Sequence, residues 1–555
     1  MLPEWTTALP DWESRIVRGE GLTPCGALFT ESAAEARDIF DNLTLVDAPN
    51  GPEKLGSLSR PWVTEIVDAL FGSQDPVTKR RHITQYMVSV SKKNGKSSIA
   101  AGIMLTALIL NHRPSAEFLI LGPTKEGADN AFKPIRDMIN AEPDLQARFH
   151  IQDHVRTITD RLNNAVLKVV AADSATVTGK KATGVFIDEL HEFGKMAKSA
   201  NMLTEATGGL ASRPEGFVFY CTTQSSAPPA GVFKAKLDYA RGVRDGRIVD
   251  KQFLPILYEF PDSMRASKAD RDLKNAYVTN PNWGLSVDAS VIEQKYREAK
   301  EGGEEAILDF LSKHMNVEIG LALRSDRWAG ADFWQDAAQI LTLEELVERC
   351  EVIDMGIDGG GLDDLLGLYA IGREKGSQKK LGWGYGWAHP SVLKRRPEIA
   401  PALQDYARSG HITLVDRVGD DIEELADMCE QVFESGLLDF IGCDPVGLGA
   451  ILDTLELRGI PNEKIVAVSQ GWKLGGAIKT AERWLADGSF SPAAQPMMAW
   501  CVGNARVEPR ANSILITKQA SGSAKIDPLM AMFNAVSLMS LNPAAARKEY
   551  SMFFV

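Results

Sequence analysis

Five short apolar runs recur along the first half of the chain with helix-length segments between them: ITQYMVSV (83–90), EFLILG (117–122), AVLKVVAA (165–172), GVFIDE (184–189) and GFVFYCTT (216–223). They are rich in β-branched and aromatic residues and show no polar alternation, the mark of strands covered on both faces. Strands alternating with helices predict an α/β unit built on a parallel sheet. Ahead of them, residues 1–75 read as a helical lead-in, in which Trp62, Val63, Ile66, Val67, Leu70 and Phe71 fall at helical spacing before Gly72. Around NPNWG (280–284) the pattern loosens, and charged helices lead outward. A second β-rich block opens at EVIDMGID (351–358). At 555 residues the chain exceeds one ordinary core, so two substantial domains are expected. Their boundary is expected at a linker over 326–349, with the first domain at 76–325, the second at 350–545 and a tail at 546–555.

The six cysteines are scattered, with no C-x-x-C spacing and no Cys/His cluster, which predicts neither a disulfide framework nor a zinc site and fits a reducing, intracellular setting. The N-terminal residues lack the basic and apolar regions of a secretory signal. The longest apolar run, IAAGIMLTALIL (99–110), is too short to span a bilayer, so no membrane partner is expected. A net charge of −13 argues weakly against nucleic acid. A protein that grips and releases DNA, or clusters carboxylates around cations, can be acidic overall and keep local basic loops. Candidates are Lys79-Arg80-Arg81, Lys379-Lys380 and Lys394-Arg395-Arg396; solvated surface charge explains each taken alone.

The residues that follow the first strand carry chemistry. The stretch SKKNGKSS (Ser91, Lys92, Lys93, Asn94, Gly95, Lys96, Ser97, Ser98) joins an apolar strand to an apolar helix. It fits the end of the phosphate-loop pattern G-x-x-x-x-G-K-[ST], with Val90 where the first glycine belongs. In such a loop backbone N–H groups wrap phosphates, the lysine reaches the terminal ones, the hydroxyl binds Mg²⁺, and the helix dipole favours the anion. The strand GVFIDE ends in adjacent acids. Asp188 is expected to support Mg²⁺, and Glu189 to orient and deprotonate the attacking water. Thr222, Thr223 and Gln224 close the next strand, either as γ-phosphate sensors or as a plain strand exit.

The second block suggests another reaction. EVIDMGID ends in Asp358, LLDFIGCDPVG (437–447) closes on Asp444, and AKIDPLMAMFNAVSLM (524–539) sets Asp527 at the start of an apolar helix. Carboxylates gathered at one sheet end repel unless cations neutralise them. Two Mg²⁺ or Mn²⁺ ions about 3.5–4 Å apart would do so and align water for in-line attack on a phosphodiester. Asp363 and Asp364 are either auxiliaries or turn residues.

In order and spacing, S-K-K-N-G-K-S, V-F-I-D-E, G-I-D-G-G, G-C-D-P and K-I-D-P-L-M-A resemble the large terminase subunit of tailed bacteriophages over nearly the whole chain. The resemblance implies a P-loop ATPase domain of the additional-strand, catalytic-glutamate type followed by a ribonuclease H-like nuclease domain. It implies ATP and Mg²⁺ at the first site and cleavage of concatemeric DNA at the second. It further implies double-stranded DNA, a small terminase subunit and the portal of a procapsid as partners, a ring of subunits on that portal, and a location in the host cytoplasm, transiently at the portal vertex. Lys92 stands where relatives often carry an arginine, as a charge-stabilising finger, and Lys180 or Lys181 where many have an arginine that reaches a neighbouring subunit. The aromatic tail 546–555 either docks on the portal or frays. A helicase-nuclease of DNA repair or phage defence is the alternative; it would normally need a second motor domain. A scaffold with vestigial sites is a further one, disfavoured by intact Lys96, Glu189, Asp358, Asp444 and Asp527.

Overall fold

The apolar runs form strands of one eight-stranded sheet: β1 (Gln85–Ser89), β2 (Glu117–Gly122), β3 (Phe149–Gln152), β4 (Thr157–Asp160), β5 (Val166–Ala171), β6 (Ala182–Ile187), β7 (Phe217–Thr222) and β8 (Phe253–Leu257). The computed structural model describes residues 4–171, 181–196, 199–319, 328–397, 399–444, 449–510, 513–518 and 525–546. The strand order is β8-β1-β7-β6-β2-β5-β4-β3. Neighbours from β8 through β5 run parallel, and β4 and β3 extend the sheet antiparallel. Strands β6 and β7 are buried along their whole length, as strands covered on both faces must be. β7 lies between β1 and β6, so one additional strand separates the strand that feeds the phosphate loop from the strand that ends in the two acids. β8 gives little sequence signal because Pro255 interrupts its apolar run; it is an edge strand, where a missing N–H is tolerated.

Helices accompany the sheet. α1 (Pro61–Phe71) starts on a proline whose fixed φ suits the first helical position, and it buries seven of its eleven residues. α2 (Lys96–Ile109) is buried continuously from Ile99 to Leu108, which fits a helix apolar on all sides. α3 (Ala289–Glu301) and α4 (Glu304–His314) form an adjoining helical pair. The lead-in is part of this unit: the Leu9 N–H donates to the Arg244 carbonyl at 2.7 Å, and the Arg244 guanidinium lies 3.8 Å from the centroid of the Trp12 ring.

Compact units comprise residues 1–319 and 320–555. The stretch 326–349, expected as a linker, contributes Trp328 and Trp334 to the core of the second unit, where Trp328 meets Phe533 edge-on. Large aromatics of this kind bury too much apolar surface to remain in an open connection. Arg81 also departs from expectation. It is buried beneath Phe217 and donates to the Glu215 carbonyl at 3.1 Å, so it is a core cation and not part of a basic loop. Of the tail, only Ala546 is among the described residues.

The second unit carries a seven-stranded sheet. β9 (Cys350–Gly359), β10 (Leu365–Glu374) and β11 (Lys380–Ala388) form an antiparallel meander; β12 (Ile412–Leu414) and β15 (Phe490–Pro492) pair with β11. β13 (Leu438–Cys443) and β14 (Ile465–Ala467) run parallel to β9 on its other side. The central order β11-β10-β9-β13-β14, with only β10 reversed, is the ribonuclease H-like arrangement. Helix α5 (Asp527–Met539) crosses β9 and β10 at two glycines. A methyl at Gly356 would overlap the Ala531 carbonyl, and one at Gly367 would lie 2.6 Å from the Pro528 nitrogen. No larger residue allows so close an approach.

Mid-strand on β9, Asp354 is fully buried; one carboxyl oxygen accepts the Phe440 N–H at 3.2 Å, and the other has no partner among the described residues. Burial, then the charge of nearby Asp439, raises its pKa to about 7. The folded state therefore keeps a proton that the unfolded chain loses near pH 4, and stability falls as pH rises from about 4 to about 7, by about 1.4 kcal/mol for each pH unit of displacement. Asp354→Asn removes that loss. We expect its melting temperature, relative to the parent protein, to climb between about pH 4.5 and about pH 8 in thermal denaturation; a difference independent of pH would contradict the assignment.

Candidate nucleotide site and carboxylate edge

The phosphate loop turns sharply because Lys93 and Gly95 both adopt positive φ, +72° and +77°. Gly95 caps α2, and no side chain caps the helix, so its first N–H groups face outward as an anion-binding end. The Lys96 ammonium donates to the carbonyls of Val90 (3.0 Å) and Ser91 (3.1 Å), curling back over the loop. Withdrawal from water lowers its pKa to about 8, against the pull of Asp188 and Glu189. Ser97, one residue on, donates its hydroxyl to Asp188 at 3.1 Å. Burial raises the pKa of Asp188 to about 6, although Lys96 and the Ser97 hydrogen bond act to lower it.

These two shifts have one physical meaning. A cation and an acid sit side by side where neither is well hydrated, and each is disfavoured in its charged form. A magnesium-bound triphosphate suits both, supplying negative charge to Lys96 and positive charge to Asp188. Two further buried atoms, Thr223 Oγ1 and Gln224 Oε1, have no hydrogen-bond partner among the described residues, so the strand end holds polar capacity for a phosphate or a water. Glu189 is half-buried at positive φ (+51°), its N–H donating to Asp188 at 2.9 Å, and a short helical turn, Leu190–Phe193, follows. The chain reverses at once after the acid, which keeps Glu189 at the strand end.

The loop's shape is set by residues that carry no motif. The Asn94 side chain is fully buried. It donates to Ser91 O (3.1 Å) and Asn280 Oδ1 (2.9 Å) and accepts the Asn282 N–H (3.0 Å). Asn282 donates back to the Asn94 carbonyl at 3.1 Å and accepts from the Trp62 indole at 2.9 Å. The Ser91 hydroxyl meets Thr279 at 3.1 Å, and Ser286 donates to the Lys93 carbonyl at 2.7 Å. NPNWG, where the sequence pattern loosens, is thus the clamp on the phosphate loop. His191 is a further residue that sequence reasoning misses: its N–H donates to the Thr222 hydroxyl at 3.1 Å and its ring lies 3.3 Å from the same oxygen, joining the acid strand to β7. Its place two residues after Glu189 is the available signal.

Of the remaining expected residues, Lys92 is held through its backbone, its N–H donating to the Lys313 carbonyl at 2.7 Å. The Lys93 side chain is exposed, and Ser98 sits half-buried in the first turn of α2. Lys181 is exposed just before β6; Lys180 lies outside the described residues.

In the second unit, Ile357 and Cys443 are register partners on parallel β9 and β13, so the residues that follow them, Asp358 near the end of β9 and Asp444 just past β13, come side by side. The buried Cys443 thiol feels both: burial chiefly, and their negative charge in addition, push its pKa up to about 12. Asp527 opens α5, and its Cβ lies 3.2 Å from where a methyl on Gly359 would stand. The three carboxylates therefore share one edge. Among the described residues no three His, Cys, Asp or Glu side chains are grouped as a ready metal cage. Asp363 pairs with Arg396 at 2.8 Å and Asp364 with the buried Lys525 at 2.8 Å, so ion pairing and not metal support accounts for both.

Residues 61–232 match the family "Terminase large subunit, ATPase domain". The chain is 22% identical over 479 residues to the terminase large subunit of Enterobacteria phage HK97, covering 83% of this chain and 86% of the relative. Among solved structures, the HK97 bacteriophage large terminase is 17% identical, with 91% of this chain and 99% of that chain covered at a TM-score of 0.48. The large terminase of a thermophilic bacteriophage, in complex with ATP-gamma-S, is 13% identical, with 83% and 95% covered at a TM-score of 0.31. Residues 61–232 thus match an ATPase-domain family of terminase large subunits, within a chain that is similar to a phage large subunit along most of its length.

Proposed function

We propose that this chain is the motor and nuclease subunit of a phage genome-packaging machine, hydrolysing ATP to drive double-stranded DNA into a procapsid and cutting concatemeric DNA. The observation that carries the motor reading is the Ser97–Asp188 hydrogen bond beside Lys96, with Glu189 next in the chain. Lys96 and the N-terminal amides of α2 bind the triphosphate, Ser97 and Asp188 hold Mg²⁺, and Thr223 contacts the γ-phosphate. Ser91, Asn94 and Gly95 fix the cradle. Bound Mg²⁺ neutralises charge on the phosphate oxygens. Glu189 orients the attacking water and takes its proton. Lys92, Lys180 and Lys181 are the candidates for stabilising charge at the transferring phosphoryl group, with an ammonium in place of the planar fork of an arginine.

For cleavage, Asp358, Asp444 and Asp527 at one sheet edge are a hard-oxygen donor set suited to Mg²⁺ or Mn²⁺, and we read them as ligands of two ions. Portal, small terminase subunit and a ring of copies on the portal follow from the family reading, as does action in the host cytoplasm. Among the described residues no helix is long and apolar enough to cross a membrane. A helicase-nuclease would be expected to bring a second motor domain; the second unit has a ribonuclease H-like sheet instead.

Glu189→Ala in the full chain should abolish ATP turnover in the presence of DNA and portal and leave Mn²⁺-dependent plasmid cleavage intact, and Asp358→Ala should do the reverse. Loss of both activities in either folded variant would refute two separate sites. Asn282→Ala, which removes the side-chain bonds to the Asn94 carbonyl and from the Trp62 indole, should raise KM for ATP roughly tenfold, the cost of about 1–2 kcal/mol in lost hydrogen bonds. An unchanged KM measured by steady-state hydrolysis would show that the loop holds its shape without the clamp.

A further inference from the structure

The carboxyl ends of β8, β1 and β7 lie side by side, Ser89 being in register with Leu257 on one neighbour and Thr222 on the other. Asn316, two residues beyond α4 and only 1% exposed, bridges all three. Its Oδ1 accepts the Gln224 N–H at 2.8 Å, and its Nδ2 donates to the Tyr258 carbonyl at 2.8 Å and the Ser89 hydroxyl at 3.2 Å. One amide thus ties the strand that feeds the phosphate loop to the strand end carrying Thr223 and Gln224. Its own backbone is at positive φ (+47°), a conformation that asparagine tolerates better than most residues and that surrounding bonds must hold. Aspartate would lose the two donors, and glycine would lose the amide altogether.

The residues just before it are fastened to the same loop. The Lys313 carbonyl accepts the Lys92 N–H at 2.7 Å, and the His314 carbonyl accepts the Asn280 side chain at 2.9 Å. The helical pair α3–α4 is therefore fixed to the phosphate loop at its entrance, through Thr279, Asn280, Asn282 and Ser286, and at its exit through Lys313, with His314 tied to Asn280 and Asn316 to the strand that feeds the loop. The chain leaves the first unit at Ile319, three residues later. At the strand end that Asn316 holds, Thr223 Oγ1 and Gln224 Oε1 have no hydrogen-bond partner among the described residues, which leaves the hydroxyl to donate to a phosphate oxygen and the amide oxygen to accept from a water.

We propose that Asn316 is a positioning residue for ATP hydrolysis: it holds the Thr223–Gln224 strand end against the phosphate-loop strand, and carries a change of γ-phosphate contact there into residues 313–319. The proposal rests on the ATPase reading of the first unit and adds the route by which the site's occupancy leaves it. A bound γ-phosphate biases an equilibrium only through contacts that differ between states. The three bonds of Asn316 supply a rigid link from those contacts to the end of α4.

The test uses the full-length protein with Mg-ATP for turnover and Mg-ATPγS for binding. Asn316→Ala should lower kcat about tenfold while ATPγS affinity stays within about threefold, the pattern of an interaction that matters after binding. In the parent protein, ATPγS should slow hydrogen exchange at residues 313–319, and Asn316→Ala should lose that response. A folded Asn316→Ala with parental kcat would overturn the proposal. So would a variant whose nucleotide affinity falls as far as its kcat, since that marks a collapsed pocket. If Asn316→Ala does not fold, Ser89→Ala removes one arm alone: a roughly twofold to fivefold drop in kcat at unchanged affinity is expected, about what one weak hydrogen bond contributes. An unaltered kcat with an unaltered exchange response in Ser89→Ala overturns it. Absence of ATP turnover in the parent protein would instead strike at the ATPase reading itself.

Discussion

A half-buried lysine at the start of α2 and a buried aspartate at the end of β6 are the condition on which the first unit's chemistry depends. Lys96 and Asp188 are each unfavourable as ions in that setting, with pKa values drawn to about 8 and about 6. The fold tolerates the pair because buried amides hold the surrounding backbone in place. Asn94 alone makes contacts with Ser91, Asn280 and Asn282. Each such bond contributes about 1 kcal/mol net, and leaving one of these buried groups unpaired would cost more. The loop can therefore dispense with its first glycine: the curvature lies at Lys93 and Gly95, and the walls are asparagines from far downstream in the chain.

What the sequence disclosed and what it hid follow the same physics. The parallel strands are legible because burial on both faces leaves continuous apolar runs, as in β6 and β7. The lysine, serine and adjacent acids are legible because their spacing is local. Asn280, Asn282 and Asn316 are not, since their meaning lies in partners far along the chain, and asparagine near proline and glycine looks like an ordinary turn. The linker expected over 326–349 fails for a related reason. A stretch without clear periodicity can still bury tryptophans, as Trp328 and Trp334 do.

At the second unit's edge, two of the three expected carboxylates are brought together by simple register, since they follow Ile357 and Cys443, partners on β9 and β13. The third comes from far away in sequence, and only packing sets its position. Helix α5 reaches the edge because Gly356 and Gly367 let its backbone lie against the sheet, which fixes where Asp527 begins the helix. Asp363 and Asp364 look similar in sequence, but a guanidinium and a buried ammonium neutralise them. Carboxylates with such partners have their charge already balanced.

The insertion of β7 between β1 and β6 has a geometric consequence for the first unit. The strand feeding the phosphate loop and the strand ending in the acids are two inter-strand repeats apart, each about 4.8 Å. The gap between the phosphate loop and the two acids therefore inherits its width from the hydrogen-bonded lattice of the sheet, a ruler that neither loop can stretch. Ser97 and Asp188 span that interval by meeting over the intervening strand, and the ruler would alter only if the sheet itself were re-paired.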